Sequence, residues 1–104
     1  MNFALCDDLP EERARLRAML DSYCAARGLT ADCTEYDSGE ALLAAGTPGR
    51  FALIFLDIYM AGLTGVEVAQ KLKAQDANSV IIFTTTSREH GAEAFDLEAF
   101  HYLV

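Results

Sequence analysis

The sequence predicts a single α/β domain built on a doubly wound, five-stranded parallel sheet. Two short apolar runs, residues 2–6 and 51–56, lack the alternation of a half-exposed strand and are typical of strands buried on both faces. Stretches of helical spacing separate the apolar runs, which gives the order βαβαβαβαβ. The length of 104 residues and the 52% share of hydrophobic residues suit one domain with its own core.

The first half of the chain contains two predicted strand–helix pairs. After the strand at residues 2–6, Pro10 suits the first turn of a helix, and Arg27-Gly28 provides a basic last turn and a stop. A strand at residues 33–36 is followed by Asp37-Ser38-Gly39-Glu40, which is cap chemistry for a second helix. The apolar residues of the first helix recur at helical spacing: Leu16, Met19, Leu20, Tyr23 and Cys24.

The second half of the chain continues the alternation. Thr64-x-x-Glu67, after the strand at residues 51–56, is a capping box that opens a third helix. A strand at residues 80–83 leads to a second capping box, Thr86-x-x-Glu89, which opens a fourth helix. Residues 100–104 form the predicted fifth strand.

Charge, cysteine content and hydropathy exclude several classes of protein. A net charge of -8 repels nucleic acid, so we expect no direct DNA or RNA binding by this chain. Cys6, Cys24 and Cys33 show no metal-binding spacing, and they are expected to be reduced, largely buried side chains of a cytoplasmic protein. Because the first predicted strand begins within two residues of Met1, we expect no signal peptide, and we expect no membrane span because no apolar run is long enough to cross a bilayer.

Acidic residues stand at the ends of two of the predicted strands. Asp7-Asp8 follows the first strand, and Asp57 follows the third. The carboxyl ends of parallel strands line one crevice, so these side chains can converge to hold a hard cation such as Mg²⁺ against a phosphate. Taken singly, each has a simpler explanation, because Asp8 can cap a helix and Asp57 can begin a turn. The two strand ends together favour the metal site.

Five blocks of sequence carry a resemblance to a known family. They are Asp7-Asp8, Leu56-Asp57-Ile58-Tyr59-Met60, Gly62-x-x-Gly65, Ile81-Ile82-Phe83-Thr84-Thr85-Thr86 and Ala99-Phe100-His101-Tyr102-Leu103-Val104. In this order and spacing the chain resembles the receiver domain of bacterial two-component response regulators, from Met1 to Val104. The last two blocks are most similar to receivers that carry a LytTR-type DNA-binding domain. The resemblance implies a flavodoxin-like sheet with the strand order 2-1-3-4-5.

The resemblance also implies roles for the acidic residues. Asp57 is expected to be the phosphoacceptor, which attacks a phosphoryl group supplied by a histidine kinase and becomes an aspartyl phosphate. Mg²⁺ is the expected cofactor. Asp8 would bind it directly, Asp7 largely through water, and Asp57 and the backbone carbonyl of Tyr59 would fill further positions.

Two further roles follow from the resemblance alone. Thr85 matches the hydroxyl residue that binds a phosphate oxygen. Thr84 and Thr86 compete for that role, and Thr86 is better explained as the cap of the fourth helix. Tyr102 matches the aromatic switch residue on the fifth strand, whose rotamer follows the phosphorylation state.

The chain departs from the family pattern in two places. Ala61 replaces a common proline, which we expect to cost little beyond loop stiffness. The family's lysine, its fifth helix and an effector domain that regulates transcription would follow Val104. We therefore interpret residues 1–104 as a C-terminally truncated receiver, and without the lysine we expect inefficient phosphorylation. An uncovered face and a free edge strand are expected to favour a homodimer or an exchanged assembly.

Two other functions are compatible with the acidic residues. A Mg²⁺-dependent phosphotransferase or phosphatase with an aspartyl nucleophile usually has a second carboxylate two residues later, where this chain has Tyr59. A receiver-like interaction module that needs no phosphorylation is favoured by the absent lysine and disfavoured by the complete acidic site. The leading interpretation is a regulatory phosphoacceptor domain that is not an enzyme.

Overall fold

The computed structural model describes residues 2–45 and 49–84 and the backbone of residues 101–103. Its strands are β1 Asn2–Cys6, β2 Asp32–Tyr36, β3 Leu53–Asp57, β4 Ile81–Thr84 and β5 His101–Leu103, and its described helices are α1 Pro10–Ala26, α2 Gly39–Ala44 and α3 Gly65–Gln75. All neighbouring strands are parallel, in the order β2-β1-β3-β4-β5. The predicted fold and strand order are confirmed. The predicted fourth helix lies outside the described residues.

Local sequence signals account for the helix ends. Ser38 caps α2, because its side chain accepts a hydrogen bond from the Ala41 amide. The capping box predicted at Thr64 and Glu67 is present in both directions at the start of α3. Gly28 ends α1 with a φ of 69°, a conformation that a residue with a Cβ rarely adopts.

Each face of the sheet is covered by its own helices. Alternate strand residues, including Ala4, Leu56 and Phe83, pack with α2 and α3 on one face. The intervening residues, including Leu5 and Phe55, pack against α1 on the other face. The central strands β1 and β3 are therefore buried on both faces along most of their length, as their unbroken apolar sequence predicted, whereas the edge strand β2 is partly exposed.

The apolar residues that recur at helical spacing in α1 are not all buried. Cys24 is fully buried there, and Leu16 and Leu20 pack beside it. Met19 and Tyr23, which recur at the same helical spacing, are instead 53% and 55% exposed. None of the helices in the described part of the chain is both long and apolar enough to cross a membrane.

The strand register positions the acidic ends. Cys6 of β1 is aligned with Leu56 of β3, and Asp57 with Thr84 of β4. Asp7 continues β1 by one residue, and its amide donates to the carbonyl of Tyr36 at 3.1 Å. Asp7 and Asp57 therefore occupy adjacent strands at the same edge of the sheet.

Candidate functional site

Three carboxylates meet at the carboxyl edge of the sheet. One oxygen each from Asp7, Asp8 and Asp57 lies within 4.8 Å of the others. Asp57 is only 9% exposed, since it is the last residue of the central strand β3, whereas Asp7 and Asp8 follow β1 and are more open to solvent. The geometry is that of a small acidic cleft with one deep carboxylate.

Backbone amides hold each of these carboxylates in place. Asp7 Oδ1 accepts from the Leu9 amide at 2.9 Å, and Asp57 Oδ1 accepts from the Tyr59 amide at 3.4 Å. Asp8 Oδ2 accepts from the amide of Ala61, which is 53 positions away in sequence, at 3.2 Å. A carboxylate offers about four lone-pair positions, so these bonds leave acceptor capacity for a further ligand.

The helix-cap explanation of Asp8 is wrong. The N-cap residue of α1 is Leu9, and no side chain makes a cap hydrogen bond there. The side chain of Asp8 reaches instead across the cleft to the loop that follows β3. The turn explanation of Asp57 is partly right, because the bond to the Tyr59 amide is a local turn interaction.

The site is electrostatically unbalanced without a cation. Burial, followed by the nearby charge of Asp7, raises the pKa of Asp57 from 3.8 to about 7. Burial also raises the pKa of Asp7, and its backbone hydrogen bond from Leu9 opposes the rise. Within the described part of the chain, the ion pairs of Arg13, Arg15 and Arg17 are all made to glutamates.

This donor set fits Mg²⁺. Magnesium prefers oxygen ligands at about 2.1 Å, so two oxygens on one ion lie at most about 4.2 Å apart. Because the three ligand oxygens already lie within 4.8 Å, a small closing movement or one bridging water completes the contact. A divalent cation here would also offset the repulsion that raises the pKa of Asp57.

The structure describes only some of the remaining predicted site residues. The backbone of Tyr59 lies at the cleft, because its amide binds Asp57; a role for its carbonyl stays a prediction. Thr84 is the register partner of Asp57, whereas Thr85 and Thr86 lie outside the described residues. The backbone of Tyr102, in β5, pairs with Phe83 of β4, and the side chain of Tyr102 lies outside the described part of the chain.

Sequence reasoning missed the contribution of Glu40. Glu40 Oε1 accepts from the Leu63 amide at 3.0 Å, in the loop that follows the acidic cleft. Gly62, with a φ of 80°, passes so close that a Cβ there would lie 2.8 Å from Glu40 Oε1. The sequence signals were only an acidic residue in the first turn of a helix and a glycine of the block Gly62-x-x-Gly65, to which no structural role was assigned.

Gly65 and Ala61 have structural reasons that the sequence did not give. A Cβ at Gly65 would collide with the carbonyl oxygen of Asp57, so α3 can begin directly behind the acidic residue only with glycine there. Ala61 provides an N–H to Asp8. A proline at that position has no such donor, so the departure from the family pattern affects more than loop stiffness.

Comparison with known proteins agrees with this geometry. The sequence profile described as "Response regulator receiver domain" matches residues 3–104. The chain is 38% identical over 74 residues to the sensory transduction protein LytT of Oceanobacillus iheyensis, covering 69% of this chain and 30% of that protein. It is 36% identical over 107 residues to the positive alginate biosynthesis regulatory protein of Pseudomonas aeruginosa, covering 100% of this chain and 41% of that protein. The chain thus spans less than half of the length of these curated relatives.

Solved structures show the same fold. The response regulator TrrA of Thermotoga maritima, in complex with Mg²⁺-BeF, superimposes with a TM-score of 0.76 at 25% identity, covering 99% of this chain and 84% of that one. TrrA in complex with the histidine kinase ThkA gives a TM-score of 0.70 at 27% identity, with the same coverage.

Proposed function

The chain belongs to the response regulator receiver family, and from that premise we propose that Asp57 accepts a phosphoryl group from a histidine kinase, with Mg²⁺ held by Asp7, Asp8 and Asp57. The observation that carries the proposal is the meeting of these three carboxylates at the carboxyl edge of β1 and β3. Their backbone anchors come from two loops that are far apart in sequence, Leu9 after β1 and both Tyr59 and Ala61 after β3, which favours a built site over a chance surface cluster.

The chemistry assigns a separate task to each group. A carboxylate oxygen of Asp57 forms a bond to phosphorus while the bond from phosphorus to the donor nitrogen breaks. Asp57 has to be ionised for this attack, and Mg²⁺, when bound, supplies the positive charge that favours the ionised form and offsets the charge of the incoming phosphate. Asp7 and Asp8 hold the cation, and the Ala61 amide orients Asp8.

Three further assignments rest on the resemblance. Thr85 would bind a phosphate oxygen, with Thr86 as a weaker candidate. The carbonyl of Tyr59 would be a metal ligand, and Tyr102 would change rotamer with the phosphorylation state. For the carbonyl, the bond from the Tyr59 amide to Asp57 provides local support, because it keeps this residue beside the cleft.

The partners are inferred from the relatives. The complex of TrrA with ThkA supports a histidine kinase as the phosphodonor. The names of LytT, a sensory transduction protein, and of the positive alginate biosynthesis regulatory protein support a regulatory role in signalling. An effector segment that regulates transcription, in a cytoplasmic protein of which residues 1–104 are the receiver, stays a prediction. Pairing of two copies along the β5 edge stays a prediction, and light scattering over a concentration series tests it.

The enzymatic alternative has less support. An aspartyl phosphatase of the kind considered from the sequence would need a carboxylate at position 59 as its general acid or base. Tyr59 is there instead, and its amide is a partner of Asp57. The site therefore favours a regulatory phosphoacceptor over an enzyme that turns over a substrate.

Phosphoryl transfer from a small phosphodonor tests the proposal directly. In the product of the complete gene, incubation with phosphoramidate and Mg²⁺ is expected to add one acid-labile phosphoryl group by intact mass. Asp57→Asn should abolish the addition, whereas Asp21→Asn, on an exposed turn of α1, should retain it. Addition of phosphate to the Asp57→Asn protein would reject Asp57 as the acceptor.

A further inference from the structure

The loop between β3 and α3 is held by an unusual set of carboxylates. Its backbone amides donate in turn to acidic side chains: Tyr59 to Asp57 at 3.4 Å, Ala61 to Asp8 at 3.2 Å, Leu63 to Glu40 at 3.0 Å and Thr64 to Glu67 at 3.3 Å. Hydrogen bonds from an amide to a charged acceptor are among the stronger hydrogen bonds in proteins. The acidic groups around this loop therefore help to fix its position, in addition to the backbone bond from the Gly65 amide to the Ile58 carbonyl at 2.8 Å.

These four acceptors differ in what else they do. Asp57 and Asp8 belong to the acidic cleft, and a cation there would draw on the same carboxylates that hold the loop. Glu67 is local, since it closes the capping box of the helix that the loop enters. Among the four, Glu40 alone ties the loop to a separate element, α2, without belonging to the cleft.

Glu40 stands on a firmly seated helix end. Gly39, its neighbour, packs so tightly against Val68 of α3 that a Cβ there would overlap the valine side chain. Leu42, one half-turn later, is buried in the core. Gly62 then allows the loop to pass directly over the Glu40 carboxylate. The end of α2 and the loop are thus fitted to each other by two glycines.

We propose that Glu40 is a positioning residue for the acidic site. By holding the Leu63 amide, it fixes the loop that carries the Tyr59 carbonyl and the Ala61 amide while Asp8 and Asp57 engage a cation. Groups outside the ligand shell commonly tune metal affinity in this way, because a ligand held in place loses less entropy on binding. The proposal rests on the proposed function for the identity of the ligand, Mg²⁺.

Two substitutions of Glu40 separate the effect of its hydrogen-bond acceptor from the effect of its charge. In calorimetric titrations with MgCl₂, Glu40→Ala is expected to raise the Kd about tenfold, the lower end of the effects measured for outer-shell partners. Glu40→Gln keeps an amide oxygen in reach of Leu63 and should bind Mg²⁺ nearly as well as the unaltered chain. Glu11→Ala removes the same charge from an exposed first turn, on α1, and should have no effect.

A second measurement tests the hydrogen bond between the Leu63 amide and Glu40 in the absence of metal. Hydrogen exchange of the Leu63 amide in EDTA should be faster in Glu40→Ala and close to unaltered in Glu40→Gln. Equal weakening of Mg²⁺ binding in the Gln and Ala variants would mean that charge alone acts, and would overturn the proposal. Normal Mg²⁺ affinity or unchanged Leu63 exchange in Glu40→Ala would overturn it as well.

Failure of the proposed function has a different signature. If the unaltered chain shows no Mg²⁺ binding that Asp8→Asn removes, the metal site itself is rejected, and the positioning role falls with it. Binding that depends on Asp8 but is indifferent to Glu40 rejects only the positioning role.

Discussion

Glu35 on β2 lies between two arginines, whereas Asp57 on β3 lies beside two aspartates. Glu35 Oε1 is 3.2 Å from Arg13 Nε, and its Oε2 is 2.9 Å from Arg17 Nη1. Asp57 shares a cleft with Asp7 and Asp8, and its hydrogen bonds come from backbone amides. Both are strand carboxylates of one sheet, but only the first finds its counter-charge within the described chain.

The difference separates structural from functional charge. The two ion pairs of Glu35 join α1 to the edge strand β2, so the charge of Glu35 is already paired. Because these pairs are partly exposed to solvent, they contribute little to the free energy of unfolding. The aspartates are fixed by backbone donors that orient them without neutralising them. Such an arrangement costs stability and is typical of sites that await a ligand.

The largest expected effect comes from the backbone behind the acidic cleft. Gly65→Ala would force the Asp57 carbonyl and the Ile58 backbone aside, and we expect a loss of about 3 kcal/mol in the free energy of unfolding, with weakened Mg²⁺ binding. Gly28→Ala, where a Cβ meets open space but φ is 69°, should cost about 1 kcal/mol and leave Mg²⁺ binding intact. Urea unfolding and Mg²⁺ titration of both variants test this prediction. Equal Mg²⁺ affinities of the two variants would contradict a role for the backbone at Gly65 in shaping the metal site.

Magnesium should stabilise the folded chain by binding at the acidic cleft, and the ion pairs of Glu35 should not be needed for this effect. A ligand at ten times its Kd adds about 1.4 kcal/mol to the free energy of unfolding if it binds only the folded state. The melting temperature is therefore expected to rise with MgCl₂ in the unaltered chain and in Glu35→Gln. Asp8→Asn should lose most of the rise, and a full rise in that variant would contradict the metal assignment.

The acidic cleft should also give the stability an unusual pH dependence. The pKa of Asp57 is raised from 3.8 to about 7 in the folded chain, so the folded state holds this proton more tightly than the unfolded state. Its contribution is full below about pH 4 and is lost as the pH rises towards 7 and beyond. In EDTA, Asp57→Asn should flatten the decline in stability between about pH 4 and pH 7, as measured by urea unfolding. A decline of the same size in the variant would assign it to other groups.

The smallest effect is expected at Glu35. Glu35→Gln weakens two partly exposed ion pairs, so we expect a loss of about 0.5 kcal/mol in the free energy of unfolding. The loss should shrink further at high salt, because exposed charges are screened. A loss of several kcal/mol would mean that this pairing carries much more of the fold than its exposure indicates.

The amino-acid sequence by itself determined the elements and the identity of the acidic residues. Unbroken apolar runs marked the buried strands, and the bonds of the capping box at Thr64 and Glu67 span only three positions. The acidic strand ends were visible because parallel strands bring their carboxyl ends to one edge. Each of these signals depends on neighbours in the chain or on a general rule of sheet geometry.

The tertiary structure alone decided the partners of the charged side chains that bind distant parts of the sequence. Asp8 and Ala61 are 53 positions apart, Glu40 and Leu63 are 23 apart, and Arg17 and Glu35 are 18 apart. It likewise decided that Met19 and Tyr23 stay exposed while Cys24, on the same helix, is buried. Local patterns cannot specify such contacts, because they depend on how closely helices and loops approach, and in this chain Gly39, Gly62 and Gly65 set that approach.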